Sequence, residues 1–388
     1  MDYINAFRRA DVARGIAQEM AAVAVDRPLQ VMEVCGGHTH AIFKYGLHDL
    51  FPPQLIALHG PGCPVCVTPV GKIDQAITLA RQFGVTLVSY GDMLRVPGSE
   101  SSLLAEKARG ADVRMVYSPL DALRIARDHP QRQVVFFAIG FETTAPGNGV
   151  ALLCAYREGL KNFSLLSNHV QVAPAMQAVL DAPDVRVDGF IGPGHVSTII
   201  GTRPYDFIAR DYHRPVVISG FEPLDLLQSF LMVLRQIRSA RAAVENQYTR
   251  SVRADGNPQA MAILQEVFQP CDLEWRGLGW IPASGLKIRD AYADYDAECR
   301  FRHVVTVPQA DHPACICGDV LRGVRKPHDC NVFGTACTPE TPIGACMVSS
   351  EGACAAAYRY GSLSSAAARK HPPRHGLKGR HAFQAAAP

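Results

Sequence analysis

Six of the twelve cysteines in this 388-residue chain crowd between Cys315 and Cys354, and three more, Cys35, Cys63 and Cys66, stand in glycine-rich turns near the N-terminus. The distal group comprises Cys315, Cys317, Cys330, Cys337, Cys346 and Cys354. That density supplies more than the four thiolates a cubane cluster needs. The spacing is too wide for the C-x2-C-x2-C run of bacterial ferredoxins, and the paired C-x2-C knuckles of zinc modules are missing. An iron–sulfur centre is the leading expectation, with zinc and a thiol cascade as alternatives.

In the proximal group, Cys63-Pro64-Val65-Cys66 reads as a Cys-x-x-Cys opening a helix. The backbone dipole there would stabilise a thiolate and lower its pKa. Such pairs cycle between dithiol and disulfide, ligate metal transiently, form half a zinc site, or serve structure alone. Cys35 lies between an apolar run and Gly36-Gly37, a setting for a functional thiolate, against a buried apolar plug as the plain alternative. His38 and His40 follow as ligands, proton donors or turn residues. Glu142-Thr143-Thr144 offers one carboxylate and two hydroxyls, which equally serve to cap a helix. His169 and His195 are further candidates for the same cleft, or satisfied loop histidines. The Walker, dinucleotide-fingerprint, nucleophile-elbow and H-E-x-x-H motifs are all missing, so ATP, NAD and serine-hydrolase mechanisms have no support.

These residues need elements to position them. Short apolar runs ending in Gly/Pro turns, each followed by an amphipathic stretch, recur along the chain: Gln30–Val34, Leu55–Leu58, Thr86–Ser89, Val134–Ile139, Phe163–Leu166, Gly189–Ile191 and Val216–Ser219. Buried runs alternating with helices mark parallel α/β sheets, whose ligands bind outside the carboxyl ends of the strands. The expected fold class is α/β: two parallel-sheet domains in series plus a smaller cysteine-rich iron–sulfur cluster domain. The expected divisions are an N-terminal helix at 1–24, α/β domains at 25–128 and 129–247, a connecting region and cluster domain at 248–361, and a basic, disordered tail at 362–388. Residues 221–247 read as one long amphipathic helix.

Composition narrows the function. A hydrophobic content of 48% supports a sizeable core, and a net charge of +3 with no basic block in the main body gives no reason to expect nucleic acid. Arg8, Arg9, Asp11 and Arg14 interrupt the N-terminus, unlike a secretory signal, and no run is long enough for a membrane span. The expected compartment is the cytoplasm, where cysteines stay reduced and a disulfide framework is not expected.

Taken together, Cys35-Gly-Gly-His-Thr-His40, Gly60-Pro-Gly-Cys-Pro-Val-Cys66, Gly140-Phe-Glu-Thr-Thr144, Cys317-Gly-Asp-Val-Leu-Arg-Gly323, Cys337-Thr-Pro339 and Cys346-Met-Val-Ser-Ser-Glu-Gly-Ala-Cys354 resemble the HypD family of hydrogenase maturation proteins. The resemblance spans nearly everything before about Gly361. It implies two α/β domains and a domain holding a [4Fe–4S] cluster, best matched by Cys315, Cys330, Cys337 and Cys354, with Cys317 and Cys346 as alternates. It further implies work with a HypC-like chaperone and a HypE-like cyanide donor to assemble an Fe(CN)2CO unit for the [NiFe]-hydrogenase large subunit. Cys35 would help hold the iron under construction, its CN and CO ligands bound transiently, with Cys63 and Cys66 as a nearby redox or ligand pair. The rival readings are an iron–sulfur thiol–disulfide reductase acting on a protein substrate and a zinc scaffold.

Overall fold

The computed structural model describes residues 5–23, 25–305 and 307–361; the basic tail at 362–388 lies outside the described residues. Among the described residues, eleven strands form two sheets: β1 (Leu29–Glu33), β2 (Leu55–His59), β3 (Thr86–Ser89), β4 (Val113–Met115), β5 (Val134–Gly140), β6 (Phe163–Val170), β7 (Gly189–Pro193), β8 (Val216–Ser219), β9 (Val244–Asn246), β10 (Phe268–Trp275) and β11 (Gly279–Ile288). The first sheet is parallel throughout, in the order β2-β1-β7-β8-β9. The second runs β10-β11-β6-β5-β3-β4, parallel from β6 to β4, with the β10/β11 hairpin added antiparallel on β6.

The α/β class with two mostly parallel sheets and a cysteine-rich C-terminal region is as expected. The serial arrangement is not. Glu33 of β1 pairs with Ile191 of β7, across residue 128, while β3 and β4 join β5 and β6 in the other sheet. Each sheet draws strands from both sides of that position. Apolar runs of similar length announce a strand but carry no label for its partner, so order along the chain was an insufficient guide.

Both faces of each sheet are covered, as parallel sheets require. Along β5, Val135, Phe137 and Ile139 enter the core shared by the two sheets, while Val134, Phe136 and Ala138 enter a second core on the outer side. Along β1, Met32 belongs to the shared core and Leu29 and Val31 to a third, beneath helices Ala10–Val23 and Pro223–Arg238. Burying each Val, Ile or Phe contributes about 1.5–3 kcal/mol, which is why these runs tolerate so few polar residues. The shared core also takes in Cys63, Cys66, Cys317 and Cys346, so the two cysteine groups are parts of one interior.

Two local expectations change. The helix beginning at Pro223 stops at Arg238, and Ala240 adopts a positive φ of 51° before the chain enters β9. Pairing of Val244–Asn246 with β8 overrides the helical propensity of residues 241–245. The region after Tyr248 contains helix Pro258–Val267 and the β10/β11 hairpin, so it completes the second sheet instead of merely connecting. Trp275 anchors the hairpin, fully buried, its Nε1–H donating to Ser284 Oγ at 2.8 Å. No helix among the described residues is long and apolar enough to cross a membrane.

Candidate active site and cysteine nest

In the first sheet the chain leaves β1 toward β2 on one side and later returns as β7 on the other. A crevice opens at such a switch point, outside the carboxyl ends of the strands. Cys35 stands there as the residue capping helix Gly36–Lys44. Close backbone approach explains its glycines. A Cβ on Gly36 would lie 2.4 Å from Glu351 Cβ, one on Gly37 would lie 2.9 Å from the Phe221 ring, and one on Gly62 would strike the Cys35 backbone nitrogen at 2.2 Å.

Cys35 is buried, not exposed, and its thiol is pushed well up by burial first and then by the charges of Glu351 and Glu33. The N–H groups of Gly37 and His38 pull the other way without prevailing. Glu33 was missed in the sequence, although an acid inside the apolar run LQVMEV is itself a signal. It is fully buried beneath Cys35, accepting the Cys35 N–H at 2.9 Å, the His59 Nδ1 hydrogen at 2.7 Å and the Thr39 hydroxyl.

His38 is completely buried, with Nε2 3.2 Å from the Ser219 carbonyl. A carbonyl only accepts, so the proton sits on Nε2 and Nδ1 keeps a bare lone pair. That nitrogen is buried with no partner. Burial lowers the ring's pKa to about 4, keeping it neutral. His195 joins this corner, its ring stacked 3.7 Å from Phe221, against which His38 is also packed. His40 turns elsewhere: Nδ1 meets the Ser350 carbonyl at 3.2 Å, and the ring stands edge-on to Tyr360, tying helix Gly36–Lys44 to the C-terminal segment.

The second sheet sends Glu142 from the end of β5 into the interior. Its Oε1 accepts the Val172 N–H at 3.0 Å, Oε2 has no partner, and burial raises the carboxyl to about 7. Leaving a buried polar atom unpaired costs about 1–3 kcal/mol, so the orphaned atoms of His38 and Glu142 mark a place where structure alone is not being optimised. The threonines differ. Thr143 is exposed, and Thr144 donates to the carbonyls of Phe141 and Ile139, a turn role. His169 lies near the end of β6, opposite Gly140 of β5, as expected, but both ring nitrogens are satisfied, by Asn148 at 2.6 Å and Ser167 at 2.9 Å; burial lowers it to about 3. It serves the core and leaves the cleft to His38 and His195.

Cys63 caps the short helix Pro64–Val67 and Cys66 lies within it, both buried. The expected lowering of a thiol pKa at a helix start does not hold for Cys66, which is raised well above its ordinary value, chiefly by burial. A helix of four residues carries too little dipole to offset desolvation. The Cys66 thiol feels those of Cys346 and Cys63 as neighbours, Cys346 feels Cys317, and Cys317 feels Cys315, all of them free thiols. Five thiols thus form a continuous series from the cleft to the distal group. Cys317 and Cys346 are its inner links.

At the far end, Cys354 is pushed up by burial first and then by Cys315, Cys337 and Cys330, and it packs with Cys337 in a small apolar cluster. The Ile343 N–H points at Cys337 Sγ at 3.4 Å, and a Cβ on Gly344 would come within 2.4 Å of Cys315 Sγ. Among the described residues, no three His, Cys, Asp or Glu side chains could hold one metal ion. A cubane is larger than an ion; of the four cysteines Cys337 is buried and Cys315, Cys330 and Cys354 are half-buried, and the N–H donor and the glycine-cleared wall are features such a group would use. Bound as thiolates, these cysteines would each give up a proton to solvent, the metal taking its place at sulfur.

The fold and site define an α/β protein of cysteine chemistry, with one thiol held apart at a strand-end crevice and a series of thiols leading to a four-cysteine nest. A family profile described as HypD, hydrogenase formation hypA family, matches residues 11–361. The chain is 56% identical to hydrogenase maturation factor HypD2 of Bradyrhizobium diazoefficiens, with 93% of this chain and 97% of that protein covered. It is 55% identical to HypD of Rhizobium leguminosarum bv. viciae, covering 93% and 96%, and 50% identical to HypD of Escherichia coli, covering 88% and 92%. The chain belongs to the HypD family of hydrogenase maturation factors.

Proposed function

We propose that this protein is a scaffold on which an iron ion, held at Cys35, acquires cyanide and carbon monoxide before delivery to a [NiFe]-hydrogenase large subunit. A HypC-like chaperone and a HypE-like cyanide donor are its partners, and the cytoplasm its compartment. The observation that carries this reading is the place of Cys35 at the switch-point crevice beyond β1, where glycines clear its backbone and the Nδ1 of His38 is buried without a partner. A soft thiolate suits low-valent iron, and the bare Nδ1 of His38 faces a buried corner with no other claim on it.

Cys315, Cys330, Cys337 and Cys354 would hold a [4Fe–4S] cluster, which supplies one-electron redox chemistry when bound. The chain's own thiols can move an oxidation across the interior. In a Cys63–Cys66 disulfide, a Cys346 thiolate attacks Cys66 and releases Cys63 as a thiolate, which takes a proton. Cys317, deprotonated, then attacks Cys346, freeing Cys66 and leaving a Cys317–Cys346 disulfide. The same series supports a second reading, a thiol–disulfide reductase acting on a protein substrate.

Infrared spectroscopy of the complex with the chaperone separates the two. The scaffold reading expects cyanide and carbonyl bands in the wild-type complex, and their loss together with the extra iron in Cys35→Ala, while visible absorption of the cluster is retained. A normal set of bands in Cys35→Ala refutes Cys35 as the iron ligand. Their absence from the wild-type complex leaves the reductase as the better account.

A further inference from the structure

The turn after β8 carries an aromatic ring that no core accounts for. Phe221 is half-buried and joins none of the apolar cores among the described residues. Its ring meets two imidazoles instead. The buried His38 lies tilted against it with centroids 4.7 Å apart, and the exposed His195 is stacked on it at 3.7 Å and an interplanar angle of 20°. The edge of the same ring faces Cys35. At the place a Gly37 Cβ would take, Phe221 Cε1 is 2.9 Å away and Cys35 Sγ 3.8 Å away, so ring and sulfur border one gap that exists because residue 37 is glycine.

The loop that carries the ring is fixed from behind. Ser219, at the end of β8, accepts the His38 Nε2 hydrogen at 3.2 Å. The Gly220 N–H donates to Gln247 Oε1 at 3.1 Å, Gln247 Nε2 donates to Asp225 Oδ1 at 2.9 Å, and Arg250 Nη1 donates to the same oxygen at 2.8 Å. Asp225 is buried, and a Cβ on Gly220 would strike its Oδ2 at 2.2 Å. Tyr248 stands edge-on to Phe221 at 6.0 Å. The capping pair of Glu222 and Asp225 already starts helix Pro223–Arg238, so the bonds through Gln247 and Arg250 do more than begin a helix. A satisfied buried network of this kind makes the loop rigid.

We propose that Phe221 is a positioning residue of the iron site, which holds the His38 imidazole in one orientation and keeps water out of the gap beside the Cys35 sulfur; this rests on the scaffold reading above. His38 is restrained twice, at Nε2 by the Ser219 carbonyl and at its ring by Phe221, so its bare Nδ1 keeps a fixed direction. A phenyl ring brings no charge, donor or lone pair of its own to the sulfur. Water excluded by it cannot compete for a metal bound there.

Alkylation of the reduced full-length chain without iron, at one pH and resolved by peptide mass spectrometry, reads the shield. Phe221→Leu should speed iodoacetamide labelling of Cys35 several-fold, while Phe221→Tyr, which keeps the ring, should label at the wild-type rate. Gln247→Ala loosens the loop without touching the ring. It should speed labelling by less, and it carries the test if Phe221→Leu does not fold. Infrared spectroscopy of the iron-loaded complex with the chaperone reads the positioning: Phe221→Leu should broaden and shift the cyanide and carbonyl bands at unchanged iron content, and Phe221→Tyr should keep them at their wild-type positions. Labelling of Cys35 unchanged in Phe221→Leu and Gln247→Ala, or bands unchanged in Phe221→Leu, overturns the proposal while the scaffold reading stands. A wild-type complex without cyanide and carbonyl bands overturns the scaffold reading and the positioning role together.

Discussion

Cys35 and two of the distal cysteines, Cys315 and Cys354, are alike in one respect, since the surroundings disfavour the thiolate in each, but the reasons differ. At Cys35 the causes are burial and two carboxylates, Glu351 and Glu33, with backbone N–H groups opposing them. At Cys315 the largest cause is a neighbouring thiol, Cys317, ahead of burial, and at Cys354 three other cysteines follow burial. A sulfur among oxygen and nitrogen groups is suited to a cargo that must later leave. Sulfurs that crowd one another are suited to a resident that binds all of them at once and relieves their mutual repulsion. On the proposed scaffold reading, assembly and storage would be separated by what surrounds the same side chain.

That contrast can be broken most dramatically at the nest. Cys330→Ala or Cys337→Ala should abolish the brown absorption and about four irons per chain, as expected for a cubane, while circular dichroism reports an intact α/β core. Full cluster content in both variants removes them from the ligand set. A smaller effect is expected beneath Cys35. Glu33→Gln places an amide donor among the Cys35, Thr39 and His59 donors, leaving at least one of them unsatisfied, and should cost about 1–3 kcal/mol in urea unfolding. An unchanged midpoint would show that the three hydrogen bonds do not hold this corner.

Acid sharpens the comparison on the oxygen and nitrogen side. Burial brings His38 to about 4, and His48 and His169 to about 3, from an ordinary 6.5. The unfolded chain takes up protons at these rings first, so the stability their neutral forms contribute is complete above about 6.5 and is lost as pH falls toward those values. Glu142 acts in the opposite sense, its contribution present below 4.5 and lost as pH rises through about 7. Urea midpoints should therefore fall on acidification, and less so in His169→Gln; equal slopes in the two proteins would place His169 outside this account. Smallest of all, Thr143→Ala should change stability by no more than about 0.5 kcal/mol, because the side chain is exposed. A larger loss would reveal a partner for that hydroxyl.

Much of the site was legible in the sequence because Gly and Pro punctuate it. Thr86–Ser89 and Val216–Ser219 have the bounds read from their apolar runs, and the turns bearing Cys35, Cys63 and Glu142 follow strands as expected. Short strands were missed where packing creates them: β4 and β9 have three residues each and form by edge pairing. Protonation was misjudged at Cys66 because local dipoles can be read from neighbours in sequence, whereas desolvation depends on everything folded over the residue. Glu33 escaped notice for a related reason: it sits in no Gly-rich turn, and its importance comes from the Cys35, Thr39 and His59 donors folded against it.

The interleaved strand order also has a consequence during synthesis. Strands β1 and β2 are made early, yet β1 acquires its second neighbour only when β7, more than 150 residues later, has been translated. Contacts so distant in sequence form slowly, and the ribosome delivers about 5–20 residues per second. For several seconds the nascent segment carrying Cys35, Cys63 and Cys66 therefore lacks β7, β8 and the C-terminal cysteines that bury it. Oxidants and stray metal ions can reach those thiols before the protein's own interior does, so yield of active protein depends on the redox state around the growing chain.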